Sequence, residues 1–163
     1  VTVEVTTPSD REIVLTRAFA ASRSLVFDAL TKPELLKRWH GARGWFLVGC
    51  EIDLRVGGAW RFSSEGPLGM KMGHSGVYRE ISPPHRLVYT ETFDDQWYPG
   101  ESLVTVDLVE RDGETTMSTT QLFPSREVRD LVLASPMKRG VGESYERLDA
   151  VFTQTRLAEG ETP

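Results

Sequence analysis

The sequence predicts an α+β domain in which a curved antiparallel sheet of six to seven strands wraps around a long C-terminal helix. Three observations carry this expectation. Residues 12–19 alternate between apolar and polar as a strand does, residues 46–122 hold a series of further strand-like segments separated by turn residues, and after Pro124 the period becomes helical. Consecutive strands joined by short breaks favour an antiparallel meander, and the helices that follow must cover one of its faces. A chain of 163 residues can bury one substantial core but is short for two. Residues 11–157 are therefore read as one domain, preceded by a flexible arm over 1–10 and followed by a frayed tail over 158–163.

The elements follow in order. From Glu12 to Phe19, Ile13, Leu15, Arg17 and Phe19 alternate with Val14, Thr16 and Ala18, and the β-branched content favours a strand. Ser22 suits an N-cap for a short helix whose apolar face carries Val26, Phe27 and Leu30. Lys32-Pro33 breaks that helix, and Pro33 fits the first turn of a second one, which runs through Leu36 and Trp39 to Gly41 and Gly44. Strands are expected over 46–54, 59–64, 72–81, 86–93, 102–110 and 115–122. The breaks fall at Gly57-Gly58, Gly66-Pro67, Pro83-Pro84, Asp94 to Gly100 and Asp112-Gly113. Ser125 then caps a helix bearing Val128, Leu131 and Val132, and Pro136, which lacks an amide hydrogen, interrupts it. Met137, Val141, Tyr145, Leu148 and Phe152 keep one face of a longer helix, and that face must meet the sheet.

Composition narrows the function classes. Hydrophobic residues make up 39% and charged residues 26%, ordinary for a soluble globular chain, and no apolar run approaches the roughly 20 residues that span a bilayer. The opening VTVEVTTPSDRE lacks a signal-peptide pattern, so cytoplasmic residence is expected, without membrane insertion. The net charge of −5 opposes phosphate backbones, and no basic cluster is interleaved with aromatics, which argues against nucleic acid. Cys50 is alone and lies in an apolar run, where it reads as core. His40, His74 and His85 stand on different elements with no metal-ligand spacing, so no metal site and no cofactor is expected. No serine has the context of a hydrolase nucleophile, and Gly57-Gly58 is a turn that no helix follows.

Four stretches together carry a resemblance. SRSLVFDALTKPELLKRW over 22–39, DLRVGGAWRF over 53–62, GVYREISPPHRLVYTE over 76–91 and PSREVRDLVLASPMKRGVGESYERL over 124–148 resemble the Hsp90-ATPase-activator-homologue branch of the START/Bet v 1-like (SRPBCC) superfamily. The resemblance spans residues 11–157 and implies a helix-grip fold with a space between sheet and C-terminal helix. Two departures stand out. Val141 follows Gly140 where several branches carry Trp, which implies a wider cavity, and Pro136 stands where relatives tend to have Gly, which bears on how the long helix enters the groove.

Alternation then assigns candidate ligand-binding residues to the inner face: Trp60 and Phe62, His74 and Tyr78, Tyr89, Glu91 and Phe93, then Met117, Thr119 and Gln121, with Met137, Val141 and Tyr145 on the long helix. Taken alone these residues could equally form a packed core, and the resemblance favours a cavity. Glu91 amid aromatics suits a general base or an anchor for a polar ligand, unless it simply pairs with an arginine. His74 suits proton transfer or ligand contact, although spacing identifies no acidic partner for it. Gln121 and Thr119 could orient a ligand or satisfy each other. Gly140 and Gly142, each costing about 1 kcal/mol in a helix, imply either close approach to the sheet or room for a ligand.

Three functions follow as expectations. The first is binding of a small hydrophobic or amphipathic molecule. The second is a cyclase- or hydrolase-type enzyme using Glu91 or His74 as acid-base group. The third, an interaction with Hsp90-type chaperones, is disfavoured because the chain has no room for the extra domain associated with the cochaperone, and a fold does not determine function. A homodimer is compatible with the sequence, which does not specify the oligomeric state.

Overall fold

The computed structural model describes residues 2–160. Its elements are β1 (Glu4–Thr6), β2 (Glu12–Phe19), α1 (Arg23–Thr31), α2 (Pro33–Trp39), β3 (Phe46–Ile52), β4 (Ala59–Glu65), β5 (Lys71–Ser82), β6 (Arg86–Phe93), β7 (Ser102–Arg111), β8 (Glu114–Leu122), α3 (Arg126–Leu133) and α4 (Met137–Ala158). A single 3-10 turn, Pro67–Gly69, joins β4 to β5. The eight strands form one antiparallel sheet in the order β1-β2-β8-β7-β6-β5-β4-β3. With four helices and the long α4 on its inner side, this is the helix-grip arrangement expected from the sequence.

The strand count is one higher than expected, and the difference lies in the N-terminal stretch expected to be a flexible arm. Glu4, Val5 and Thr6 pair with Thr16, Leu15 and Val14 of β2, so this segment extends the sheet instead of hanging free. Val3 is buried and Val5 packs against the core. Arg129 Nη1 donates to the Ser9 carbonyl at 2.7 Å, and Arg11 Nε donates to the Phe123 carbonyl at 2.9 Å, so residues 9–11 are tied to the body as well. The signal was present, since Val3 and Val5 alternate with Thr2, Glu4 and Thr6, but the run before Pro8 reads as a loose arm when no helical period accompanies it. Of the tail expected at 158–163, residues 161–163 lie outside the described residues, and Ala158 still ends α4.

Local chemistry explains the helix ends. Ser22 Oγ accepts from the Leu25 amide and Ser125 Oγ from the Val128 amide, so each satisfies a donor that the first turn leaves free. Pro33 opens α2 and Pro136 separates α3 from α4, each where a missing amide hydrogen costs nothing. No helix among the described residues is long and apolar enough to cross a membrane.

The core lies between the sheet and α4. Phe19 meets Tyr145 and Phe152 edge-on, with ring centroids 5.3 and 5.7 Å apart, in the geometry aromatic pairs prefer. Arg17 shares the inner face of β2 with Ile13, Leu15 and Phe19 and is only 5% exposed, an unusual place for a guanidinium. It is stabilised there by a two-pronged ion pair with Asp149 at 2.6 and 2.5 Å and by the Phe19 ring 4.6 Å away. Cys50 is half-buried against the core, a partial version of the expected placement.

The two helix glycines do not mark a close approach to the sheet. A Cβ on Gly140 would make ordinary contact with Ala42, 3.6 Å away, and one on Gly142 would meet nothing within 4 Å. Neither lines the central cavity, so neither expected explanation holds. Gly76 is the glycine that geometry demands. It pairs with Trp60, and a Cβ there would collide with the Thr90 carbonyl and the Trp60 indole, so its bare backbone lets that indole lie across β5.

Candidate functional site

Between sheet and α4 the packing leaves a cavity of about 280 Å³. Trp60, Phe62, His74, Tyr78, Tyr89, Glu91, Phe93, Met117, Thr119, Gln121, Met137, Val141 and Tyr145 all line it, so the inner-face assignment by alternation places every one of them on the same space. The register explains the convergence. Phe62 pairs with His74 and His74 with Phe93, which sets three rings side by side across β4, β5 and β6. Tyr78 pairs with Tyr89 two steps along the same face. One part of the wall reaches the surface where Trp97, on the β6–β7 loop, is 42% exposed.

The polar groups within this aromatic wall are few and close together. His74 Nδ1 lies 3.0 Å from Glu91 Oε2, and the two side chains are only 6% and 13% exposed. Glu91 therefore finds its partner in a histidine and not in an arginine. The sequence concealed the pair because it joins neighbouring strands across a register offset of two residues, with Phe93 directly opposite His74. His74 Nε2 and Gln121 Oε1 are buried without a protein partner, so the mutual satisfaction of Gln121 and Thr119 is not made. Trp60 Nε1 is likewise unpartnered, against Gly76.

His40 is one residue of the wall that sequence reasoning missed. Its ring is 5.1 Å from Phe62 and stacks 5.7 Å from His74. Burial, then the neighbouring His74 and the Arg147 guanidinium, push its pKa down to about 3, so it is neutral at physiological pH. Nδ1 of His40 has no partner. The loop that carries it is clamped to α4. The Gly41 amide donates to Ser144 Oγ at 3.0 Å, and Arg147 Nη1 donates to the carbonyls of Gly41 and Trp45 at 3.0 and 2.9 Å. The available signal was Trp39-His40 immediately before the helix-ending Gly41, an aromatic pair at a helix C-terminus. Trp97 and Tyr98 were also missed, because they sit in a loop read only as a break. Tyr98 is buried, with its hydroxyl 3.2 Å from Ser102 Oγ.

Burial pushes the phenols of Tyr78, Tyr89 and Tyr98 upward, and that of Tyr145 to about 12, so all four act as neutral hydroxyls. Among the described residues, no three His, Cys, Asp or Glu side chains converge closely enough to hold a metal ion. The arrangement can hold an apolar body against aromatic faces, exchange hydrogen bonds with a few fixed polar atoms, and move a proton at His74 Nε2 if a suitable group lies beside it.

Residues 20–153 match the family model for Activator of Hsp90 ATPase homolog 1-like protein. A crystal structure of a protein from Rhodobacter sphaeroides is 33% identical, covering 94% of this chain and 99% of that one, with a TM-score of 0.89. An X-ray structure from Nitrosomonas europaea is 24% identical over 93% of this chain and 99% of that one, with a TM-score of 0.82. The crystal structure of the AHSA1 protein from Silicibacter pomeroyi is 21% identical over 88% and 99%, with a TM-score of 0.70. At those lower identities the last two speak for the fold alone. None of the curated proteins matches the chain.

Proposed function

From a chain that belongs to the Activator of Hsp90 ATPase homolog 1-like family, we propose binding of a small, largely apolar molecule in the cavity between sheet and α4. One observation carries the reading: a cavity of about 280 Å³ whose wall is mostly aromatic yet contains buried polar atoms without partners. A solid core would leave neither the space nor the unmet hydrogen-bonding groups, since buried polar atoms are normally satisfied by protein or water. The volume is about twice the ~150 Å³ apolar cavity that admits benzene, which points to a ligand of about two rings. A thermal-shift panel of aromatic and acyl compounds tests it. Saturable stabilisation by at least one bicyclic compound is expected, and a panel that produces none would reject the reading.

A second reading, acid-base catalysis on the bound molecule, is favoured by one contact. The 3.0 Å approach of Glu91 to His74 Nδ1 orients the imidazole and leaves Nε2 without a protein partner in the cavity wall. Its test is deuterium exchange at the α-carbon of a bicyclic ketone in heavy water. Exchange that is no faster than in buffer, or is unaffected by His74→Gln, would dismiss catalysis and leave binding standing. Stimulation of an Hsp90-type ATPase is not part of the proposal, because a family's fold does not determine its function. A purified chaperone should hydrolyse ATP at the same rate with and without it.

A further inference from the structure

The head group of the ligand can be specified from the atoms that lack partners, an inference that rests on the binding reading above. A carboxylate can only accept hydrogen bonds, so the proton in the 3.0 Å contact between Glu91 and His74 lies on Nδ1 of the histidine. The other ring nitrogen, Nε2, is buried with no protein partner, and a ligand hydroxyl can meet it whichever of the two carries the hydrogen. Gln121 Oε1 is a buried acceptor without a partner in the same wall. An open acceptor and an open ring nitrogen in an aromatic enclosure call for a ligand that brings a hydrogen-bond donor.

The charge of the wall argues against an anionic ligand. Among the residues lining the cavity there is no lysine or arginine, and the one carboxylate is Glu91. An anionic head would lose its hydration beside a like charge, with no cation to offset it.

We infer that the cavity selects uncharged molecules of about two rings that carry a hydroxyl or amide N–H, donated to Gln121 Oε1 beside His74 Nε2, and discriminates against carboxylates. Selection works mainly through the loss suffered by wrong ligands. A molecule without the donor leaves Gln121 Oε1 buried and unmet, a penalty that corresponds to roughly fivefold or more in affinity.

The test uses three probes with one ring system: 2-naphthol, 2-methoxynaphthalene and 2-naphthoate, measured by equilibrium dialysis near neutral pH. The expected result is tightest binding of 2-naphthol, roughly fivefold or more weaker binding of the methyl ether, and weaker binding still of the carboxylate. If the ether or the carboxylate binds as well as 2-naphthol, the head-group inference is overturned while cavity binding stands. If none of the three binds, the binding reading falls and this inference with it. Gln121→Leu and His74→Phe, checked for folding by circular dichroism, supply the assignment. The preference for 2-naphthol over its ether should shrink in at least one of them, and an unchanged preference in both folded variants would overturn the role given to these atoms.

Discussion

Val141→Trp separates an open cavity from a solid core by the sign of its effect. Val141 lies on the face of α4 that lines the cavity, between Met137 and Tyr145, and is itself only partly buried. Valine and tryptophan have similar helix propensities, so the backbone contributes little to the difference. The added indole brings on the order of 100 Å² of extra apolar surface, which at about 25 cal/mol/Å² is worth roughly 2–3 kcal/mol if it enters the open space. In a close-packed interior the same change would cost roughly 1–3 kcal/mol through overpacking. At about 2–4 °C per kcal/mol for a domain of this size, the two cases diverge by several degrees in opposite directions. The assay is a thermal melt of both proteins with and without 2-naphthol. At a ligand concentration about 100 times Kd, the parent should gain about 2.7 kcal/mol, or roughly 5–11 °C, and the variant should lose most of that gain. A strongly destabilised variant, together with no ligand-induced shift in the parent, would refute the reasoning and leave a packed core.

Further outcomes follow from other features of the structure. His40 titrates near its ordinary value when unfolded and only at about 3 when folded, so below about pH 6.5 the unfolded chain binds the extra proton. Stability should therefore fall with decreasing pH by up to ~1.4 kcal/mol per unit across that window, and urea titrations of His40→Gln should show a flatter profile. Asp149→Ala leaves the guanidinium of Arg17 buried and unpaired, and because Asp149 itself is 44% exposed the expected loss is roughly 1–3 kcal/mol, short of the full cost of breaking a buried pair. A loss below experimental error in urea unfolding would show that the pair contributes nothing. Burial raises the Cys50 thiol to about 11, so its reaction with an aromatic disulfide at mildly alkaline pH should be at least about tenfold slower in the folded protein than in denaturant.

Local periodicity determined most of the fold. The alternation of Glu12–Phe19 and Arg86–Phe93, the caps at Ser22 and Ser125, and the proline breaks at Pro33 and Pro136 are each written within a few residues, because strand and helix periods and end groups are local properties. The same alternation was enough to put Trp60, Phe62, Tyr89, Phe93 and the rest on one face, since the period of a strand leaves only two choices. Tertiary structure alone decided which polar groups on that face meet. Glu91 reaches His74 through the pairing of β5 with β6, and His40 reaches His74 because a loop after α2 is clamped to Ser144 and Arg147 of α4. Arg17 likewise had to wait for Asp149, 132 residues away, before its inward position made sense. The edge strand at Glu4–Thr6 lies in a run with its own two-residue period, Val3 and Val5 against Thr2, Glu4 and Thr6, but that it pairs was decided by the open edge of β2. Periodicity records which way a side chain faces. The partner it finds, and the space left beside it, depend on register and on the distance between layers, which the whole packed chain sets together.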